Sequence, residues 1–440
     1  MNVNQFTPLL QHAAELLAGV RHPPDVAKEV LRLIAMLGYG DGDLARNPQR
    51  AALLAAAAKL KRLFQLSAPE APGLVFFGGE ADPCLVGWRG SGHPPISLAG
   101  GALSLAQAFE SCVSEGVEYL SQFETEADVI RHETFDNVGL GGELGTFVAN
   151  VLDHVRIKTD QPIAWVEGKR LRDGTGAWLP ADICLRRSGE VRDFVAPFKL
   201  STGCGAGASL EDAVLHGLCE LIERDAVSLW WRGGLRGRVI DSNSGAGRAG
   251  AELLATLRAG ATRRSSWVMD ITTDLGVPCV AAVSVGAGGR EFACGHAARP
   301  TRAAAIRSAI LEMCQMELGQ AVIAAKLRQG GEGALNAADR MHLRRANLID
   351  ARCLLLHPIR SMPPEEGGAL TLTAMVARLG SMGIEPLVVE LTRPQFGIPV
   401  VRVVAPQLQL EPSAIVTKRL SGIIEQTGGA EAYTGGIALM

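Results

Sequence analysis

Pairs of polar side chains that could hold a metal ion recur in three separate segments of this 440-residue chain. The members of each pair are three residues apart, a spacing that places both on one face of a helix. Carboxylates brought together repel each other unless they are protonated or bridged by cations. Mg²⁺ takes hard oxygen ligands and usually bridges to phosphates. The spacing therefore favours one shared acidic site beneath a nucleoside triphosphate. The pairs are Glu115 with Glu118, Glu220 with Glu223, and Glu312 with Gln315.

The second pair lies in the segment around which the rest of the chain is organised, residues 201–231, with the sequence STGCGAGASLEDAVLHGLCELIERDAVSLWW. Three glycines stand at alternate positions, the first two of them Gly203 and Gly205. They precede a stretch whose apolar residues have the spacing of a helix. Ser209 is its predicted N-cap. Asp212, three residues later, is a shorter version of the capping-box glutamate. The segment therefore predicts a glycine-rich loop that leads into a long helix carrying the acids.

The other two pairs lie on helices of similar design. Residues 100–119 again place two glycines before a helix, and Ser111 lies one turn before the first glutamate. Residues 301–320 are alanine-rich enough to lie deep in the fold. The alternative for residues 220–224 is a solvated helix end with a Glu–Arg pair, because buried charge costs several kcal/mol unless it is paired or ligated.

Taken together, these motifs resemble the YcaO family of ATP-utilising enzymes that modify peptide backbones. The resemblance extends over roughly residues 85–410 and includes the connecting segments 165–168, 179–181, 270–278 and 397–406. It is specific as a set, although each motif alone is weak. The matching residues are Ser111, Glu115 and Glu118 in the first helix, Glu220, Glu223 and Arg224 in the second, and Glu312 and Gln315 in the third.

The resemblance implies a chemistry and a role for each matching residue. Members use ATP to phosphorylate a peptide amide oxygen after a nucleophile attacks the backbone carbonyl, and loss of phosphate leaves an azoline, a thioamide or an amidine. The implied cofactors are ATP and Mg²⁺. The implied Mg²⁺ ligands or their supporting residues are Glu115, Glu118, Glu220, Glu223 and Glu312; Ser111 and Arg224 would contact phosphates, Gln315 would orient a ligand or water, and the loop with Gly203 and Gly205 would present backbone N–H groups to the nucleotide.

This chain also departs from the family pattern. Tyr119 stands where the family often has arginine, Ala208 where asparagine is common, and Asp212 where glutamate is common. The terminal sequence YTGGIALM lacks the Pro-x-Pro-x-Pro tail of azoline-forming members. The absence of this tail favours a thioamide-type or other backbone modification, which in this family often needs a partner protein that delivers sulfur. The three residue departures instead favour a non-catalytic module that recruits a precursor peptide to a partner enzyme.

Strand pairs followed by a helix recur along the chain. The segments SSWVMDITTDLGVPCVAAVSVG and VVELTRPQFGIPVVRVVAP each predict strand, turn and strand. The predicted fold class is α+β, a YcaO-type layered domain with a mostly antiparallel sheet and acidic helices. No G-x-G-x-x-G follows a strand in the Rossmann manner and no Walker A motif is present, so the nucleotide site is of another type.

The alanine- and leucine-rich residues 1–72 predict a helical N-terminal extension before a main ATP-binding domain over 73–440, with one helix over 48–66. The extension could hold a partner or peptide, or it could be a lid packed on the core.

Bulk properties narrow the partners. The net charge is −3, which gives no field for polyanions and argues against nucleic acid, and no apolar run is long enough to span a membrane. Nine cysteines without a CxxC pair favour a reducing, cytoplasmic location. The expected partners are a precursor peptide or protein and a sulfur-delivery or leader-peptide-binding protein, and the resemblance implies a homodimer.

Overall fold

The computed structural model describes residues 3–17, 20–39, 46–88, 96–359 and 368–439. The helices are α1 (Val3–Leu17), α2 (Pro24–Met36), α3 (Pro48–Ala57), α4 (Leu105–Ser121), α5 (Phe135–Val138), α6 (Gly142–His154), α7 (Ala181–Cys184), α8 (Leu210–Trp231), α9 (Gly245–Arg258), α10 (Arg302–Gly330), α11 (Ala337–Leu348), α12 (Leu372–Ser381), α13 (Lys418–Thr427) and α14 (Glu431–Thr434). The strands are β1 (Arg62–Ser67), β2 (Val75–Ala81), β3 (Ile96–Ala102), β4 (Ile130–Glu133), β5 (Ile163–Arg170), β6 (Gly176–Pro180), β7 (Cys204–Ala206), β8 (Arg238–Val239), β9 (Arg264–Asp270), β10 (Cys279–Gly286), β11 (Ala293–Ala298), β12 (Leu387–Glu390) and β13 (Val400–Val404).

The strands form three sheets, and every pairing between these named strands is antiparallel. The first sheet has the order β1-β2-β3 and the second has the order β11-β10-β9-β8. The third has the order β4-β5-β12-β13-β7, with β6 paired to β5. Both segments predicted as strand, turn and strand form such pairs, β9 with β10 and β12 with β13. The structure thus confirms the predicted α+β fold class.

Each sheet carries one of the three predicted acidic helices. Helix α4 packs on β3 and β2, α8 on β13 and β7, and α10 on β11 and β10. Helix and sheet bury apolar side chains between them, among them Phe109 of α4, Leu218 of α8 and Ile310 of α10. Removing such side chains from water is the main favourable term in folding.

The helix predicted over residues 48–66 is wrong in its second half. It ends at Ala57, and Arg62–Ser67 forms β1 instead. The six residues of β1 pair with β2 along their whole length, so the sheet satisfies their backbone groups and overrides the local helical preference.

The N-terminal helices pack on the main body of the molecule. Leu10, Leu33 and Leu54 belong to the same buried cluster as Phe109 of α4. The division at residue 72 stays a proposal, and the packing agrees with a lid on the core. In the part of the chain that the structure describes, no helix combines the length and apolar character needed to cross a membrane.

Candidate active site

The three acidic helices repeat one register, counted from the residue that caps each helix. Ser104, Ser209 and Thr301 are the N-caps of α4, α8 and α10, and each side-chain oxygen accepts a backbone N–H of the first turn. The predicted site residues then fall eleven and fourteen residues after the cap in all three helices. The same helix turn therefore presents a site residue in each unit.

A glycine in the preceding strand lets each helix approach closely. A Cβ atom built on Gly100, Gly205 or Gly295 would lie 2.3–2.4 Å from a backbone carbonyl oxygen of the facing helix. No side chain fits in that space, so the helix backbone rests directly on the strand.

The first acid of each pair is fixed by its own unit. Glu115 accepts a hydrogen bond from the N–H of Ala99 at 2.6 Å, and Glu220 from the N–H of Gly203 at 3.0 Å. Glu312 accepts one from the N–H of His296 at 2.8 Å. These bonds hold one carboxylate oxygen of each acid in a defined place.

The second residue of each pair reaches the strand of the next unit. Glu118 of α4 interacts with the backbone N–H of Ala206 in β7, and Glu223 of α8 accepts the N–H of Ala298 in β11 at 3.2 Å. Gln315 of α10 lies against Gly101 of β3, so closely that a Cβ there would come within 2.5 Å of its amide nitrogen. The three units thus close a ring, and the ring brings the predicted site residues of three distant segments together.

The acids of α4 are crowded and poorly neutralised. Burial raises the pKa of Glu118 well above its usual range, and the charges of Glu220 and Glu115 raise it further. Burial among protein atoms raises the pKa of Glu115 to about 7, against the opposing effects of the Ala99 N–H and Lys199. The Glu115 side chain still reaches solvent, so it can exchange its proton for a ligand.

The acids of α8, unlike those of α4, lie beside positively charged side chains. Burial alone would raise the pKa of Glu223, but its hydrogen bond to His296, at 2.9 Å, and the charges of His296, Arg224 and Arg299 hold it well below the usual range. Arg224 also donates to Glu220 at 3.0 Å. Burial lowers the pKa of His296, yet the carboxylates of Glu312 and Glu223 outweigh it and raise the value.

The remaining predicted residues surround this ring. Ser111 is exposed one turn before Glu115. Gly203 has a positive φ of 85°, and its N–H is already bound to Glu220. Gly205 pairs with Val401 in the sheet and forms the close approach to α8. The structure therefore gives both glycines a packing role, and direct contact with a nucleotide stays a prediction.

Asp212 has a clear structural role. Its carboxylate accepts hydrogen bonds from the backbone N–H and the hydroxyl of Ser209, at 3.2 and 2.8 Å, and completes the predicted capping box. An aspartate that caps its own helix in this way is committed there, so its shorter length does not weaken the acid ring.

The acid ring fits Mg²⁺. Among the described residues, Glu115 and Glu118 form no ion pair with an arginine or lysine at salt-bridge distance, and neighbouring carboxylates without a counter-charge favour a bound cation. The site acids do not converge within the distance of ligands to one bare ion; in the described chain only His12, Glu15 and His22 do. Mg²⁺ keeps several waters and binds through one or two carboxylates together with phosphates, which suits this wider spacing.

Three basic or titratable residues near the ring carried little or no sequence signal. His296 sits in an apolar strand, where a histidine predicts a core residue, and Arg299 follows that strand. Lys199 lies within electrostatic reach of Glu220 and Glu115, and burial followed by the charge of Arg224 lowers its pKa. A lone lysine in a loop gives no pattern from which this position could be predicted.

The chain is similar to known proteins in sequence. A family model described as YcaO cyclodehydratase, ATP- and Mg²⁺-binding, matches residues 99–409. A protein of Rhizobium leguminosarum bv. trifolii, named an uncharacterized protein in the tfuA 3′ region, is 31% identical over 128 residues, which are 28% of this chain and 29% of that protein.

Solved structures share the fold. A heterocyclase in complex with substrate and cofactor aligns with a TM-score of 0.68 at 22% identity, over 88% of this chain and 54% of its own. YcaO from Methanopyrus kandleri, bound with AMPPCP and Mg²⁺, aligns with a TM-score of 0.57 at 20% identity, over 85% of this chain and 90% of its own. The chain thus spans less than a third of the Rhizobium protein and about half of the heterocyclase.

The match to the family model includes all three capped helices and every acid of the ring. Since it extends over most of the chain, the chain belongs to the YcaO family, whose cofactors are ATP and Mg²⁺.

Proposed function

We propose that this chain uses ATP to activate a backbone amide of a peptide or protein for chemical modification. An amide oxygen is a very poor leaving group, and phosphorylation converts it into a good one. The observation that carries the proposal is the pair Glu115 and Glu118, two crowded acids with raised pKa values and no ion-pairing cation in the described chain. A divalent cation would favour the ionised form of both acids at neutral pH.

The proposed reaction balances as follows. A nucleophile adds to the amide carbon, the former carbonyl oxygen attacks the γ-phosphorus of ATP, and the bond between the β and γ phosphates breaks to release ADP. The carbon–oxygen bond then breaks and inorganic phosphate leaves. A cysteine, serine or threonine side chain gives an azoline with loss of the amide proton, and sulfide gives a thioamide.

The chain's own residues would hold the reactants in place. Mg²⁺, when bound, would neutralise the charge on the phosphates. Glu115, Glu118, Glu220, Glu223 and Glu312 would bind the ion directly or through its waters. Arg224 would lie at the phosphates, Gln315 would orient a water, and exposed Ser111 would donate its hydroxyl to a phosphate oxygen.

The peptide would approach from the side of Lys199. A cavity of about 680 Å³ is lined by Lys199, Phe198, Trp231, Glu411 and Ile437, among others. Lys199 also interacts with Glu220 and Glu115, so the cavity adjoins the acid ring through this one residue. Its mixed apolar and charged lining suits a peptide segment.

Within this reaction class we favour thioamide formation with a partner that delivers sulfur. Thr434, Gly436, Ile437 and Ala438 also line the cavity, and the Trp231 indole donates to the carbonyl of Ile437 at 2.7 Å. The Rhizobium relative lies in the tfuA 3′ region, which makes a tfuA product the first partner to test. A cytoplasmic location and a homodimer are further parts of the proposal.

The test follows the oxygen atom. Peptides containing cysteine, serine and threonine, with ¹⁸O in their backbone carbonyls, would be incubated with the chain, Mg-ATP and sulfide, with and without the tfuA product. We expect ¹⁸O in the released phosphate and a peptide that has lost water or exchanged one oxygen for sulfur. Phosphate that takes its oxygen only from water, across the library, would contradict the proposal.

The recruiting module is the competing function. It would bind the peptide without needing Mg-ATP. Peptide capture that is equally tight in a Glu118→Gln variant, with no nucleotide binding by the parent chain, would favour that function.

A further inference from the structure

A second arginine lies at the edge of the acid ring, at the position in α4 that corresponds to Arg224 in α8. Both Tyr119 and Arg224 fall fifteen residues after their helix caps. The guanidinium of Arg186 stacks over the Tyr119 ring, 4.3 Å from its centre, and its Nε donates to Gln122 at 2.9 Å. The positive charge that α8 supplies from its own sequence is thus supplied to α4 from a distant loop.

The charge of Arg186 is not neutralised by an ion pair, whereas the charge of its neighbour Arg187 is. Arg187 donates to Glu124, Asp182 and Asp193 at 2.9–3.2 Å. Arg186 forms no ion pair with a carboxylate in the part of the chain that the structure describes. The two adjacent arginines therefore differ. Arg187 is held by three acids, whereas Arg186 stacks on an aromatic ring and donates to an amide oxygen.

Arg402 adds a second uncompensated charge. It is 2% exposed, its Nη1 lies 3.7 Å from the Cys204 sulfur, and its Nε has no hydrogen-bond partner. Arg402 and Arg186 are close enough for their charges to interact. The other buried arginines of the described chain are satisfied, since Arg187, Arg258 and Arg393 bind carboxylates and Arg345 donates to the carbonyl of Leu439.

Donors outnumber acceptors around these two arginines. The amide nitrogen of Gln122, which is 1% exposed, also has no partner. A buried donor without an acceptor is destabilising, and more so when the group is charged. Two positive charges with spare buried donors are therefore the pattern expected of an anion site.

These three residues, Arg186, Arg402 and Gln122, are called the basic cluster below, and they lie near the acid ring. Lys199 lies within electrostatic reach of Arg186 as well as of Glu220 and Glu115. Positive and negative groups thus lie close together around Lys199, as a ligand that combines Mg²⁺ with phosphate requires.

We propose that the basic cluster binds a phosphate group and that the stacking of Arg186 on Tyr119 positions the guanidinium for it. The inference rests on the proposed function and extends it. The phosphate is either the terminal phosphate of ATP or the inorganic phosphate that the reaction releases, and the two sources share one chemistry: a tetrahedral dianion bound by guanidinium groups.

The test is calorimetric titration of Mg-ATP, Mg-ADP and inorganic phosphate into the full chain and into an Arg186→Gln variant. Arg192→Gln is the matched control, because Arg192 is an exposed arginine of the same loop and its loss changes the net charge equally. Losing a hydrogen bond to a charged group predicts a roughly 10- to 100-fold weaker affinity for the bound phosphate species in Arg186→Gln. The control is expected to bind as the parent does.

The pattern of loss identifies the source. Weaker Mg-ATP with unchanged Mg-ADP assigns the terminal phosphate of ATP, whereas weaker inorganic phosphate with unchanged Mg-ATP assigns the released ion. Equal affinities of Arg186→Gln and Arg192→Gln for all three ligands would overturn the proposal. A parent chain that binds phosphate through Arg186 but does not bind Mg-ATP would contradict the proposed function and still support phosphate binding by the basic cluster.

Three further variants separate a binding role from a structural one. Tyr119→Phe keeps the ring and is expected to bind phosphate as the parent does. Tyr119→Ala removes the ring on which Arg186 stacks and is expected to weaken phosphate binding. Arg402→Met removes a buried charge without a partner, so we expect it to weaken phosphate binding without lowering the thermal midpoint of the ligand-free chain. A lowered midpoint with unchanged phosphate affinity would show that Arg402 is structural.

Discussion

Helices α4 and α8 carry the same two glutamates in the same register, yet they keep them in opposite states. In α8, Arg224 and His296 hold Glu223 ionised within a buried network. In α4, burial raises the pKa of both Glu115 and Glu118, and the neighbouring carboxylates raise that of Glu118 further. The α8 acids are therefore already neutralised by the protein, and the α4 acids are left for an external cation.

The comparison teaches that spacing alone does not define the role of a carboxylate. In α8, His296 and then Arg224, fifteen positions after the helix cap, hold Glu223 ionised, whereas the tyrosine at that position in α4 brings no charge. Under the proposed function, the ring combines one unit whose acids are neutralised without ligand with one that a bound cation completes.

Removing an acid from each helix should give the sharpest contrast. Glu223→Gln breaks a buried ion-pair network and is expected to lower the free energy of unfolding by roughly 3 kcal/mol. Glu118→Gln relieves repulsion and is expected to leave it unchanged or raise it. Urea unfolding of the ligand-free chain measures both, and equal losses in the two variants would break the comparison.

The two helices should also respond to pH with opposite signs. The folded pKa of Glu115 is raised, so its contribution to stability is fully present below about pH 4.5 and is lost as the pH rises to about 7. The folded pKa of Glu223 is depressed, so its contribution is present above about pH 4.5 and is lost as the pH falls further.

Glu115→Gln should therefore flatten the fall in thermal midpoint between about pH 5 and about pH 7. Mg-ATP should bind more tightly as the pH rises through that window, because the ligand displaces the proton. A thermal midpoint of the parent that rises across the window, or a Glu115→Gln profile parallel to the parent's, would contradict the assignment.

The smallest expected effects lie at the helix caps, which the two units share. Ser104→Ala and Ser209→Ala should each lower the free energy of unfolding by about 1 kcal/mol. Asp212→Ala should lower it by a similar amount without changing the affinity for Mg-ATP, and Asp212→Glu should restore it. Loss of Mg-ATP binding in Asp212→Ala would show instead that this carboxylate belongs to the site.

Much of this arrangement could be predicted from the sequence. The caps Ser209 and Asp212, the helical register of the glutamates and the antiparallel strand pairs follow from local patterns, and the structure confirms them. The closure of the ring depends on contacts between distant segments, such as Gln315 against Gly101, and no local pattern encodes it.

The wrong and the missing predictions also arise from contacts between distant segments. Residues 62–67 form a strand because β2 pairs with them, although their neighbours form a helix. Arg186 reaches the ring through the folding of residues 186–200 beside Tyr119, so its role could not be predicted from Arg186 and its neighbours alone.

The central claim is that the α4 acids bind Mg-ATP, and calorimetric titration of ATP into the parent chain and Glu118→Gln, with and without Mg²⁺, tests it most directly. Glu118→Gln is preferable to Glu223→Gln because it should not disturb the fold. The account predicts binding by the parent that requires Mg²⁺ and is at least tenfold weaker in the folded variant, about 1.4 kcal/mol or more. Binding of equal strength in both proteins, or ATP binding by the parent that does not depend on Mg²⁺, would contradict the account.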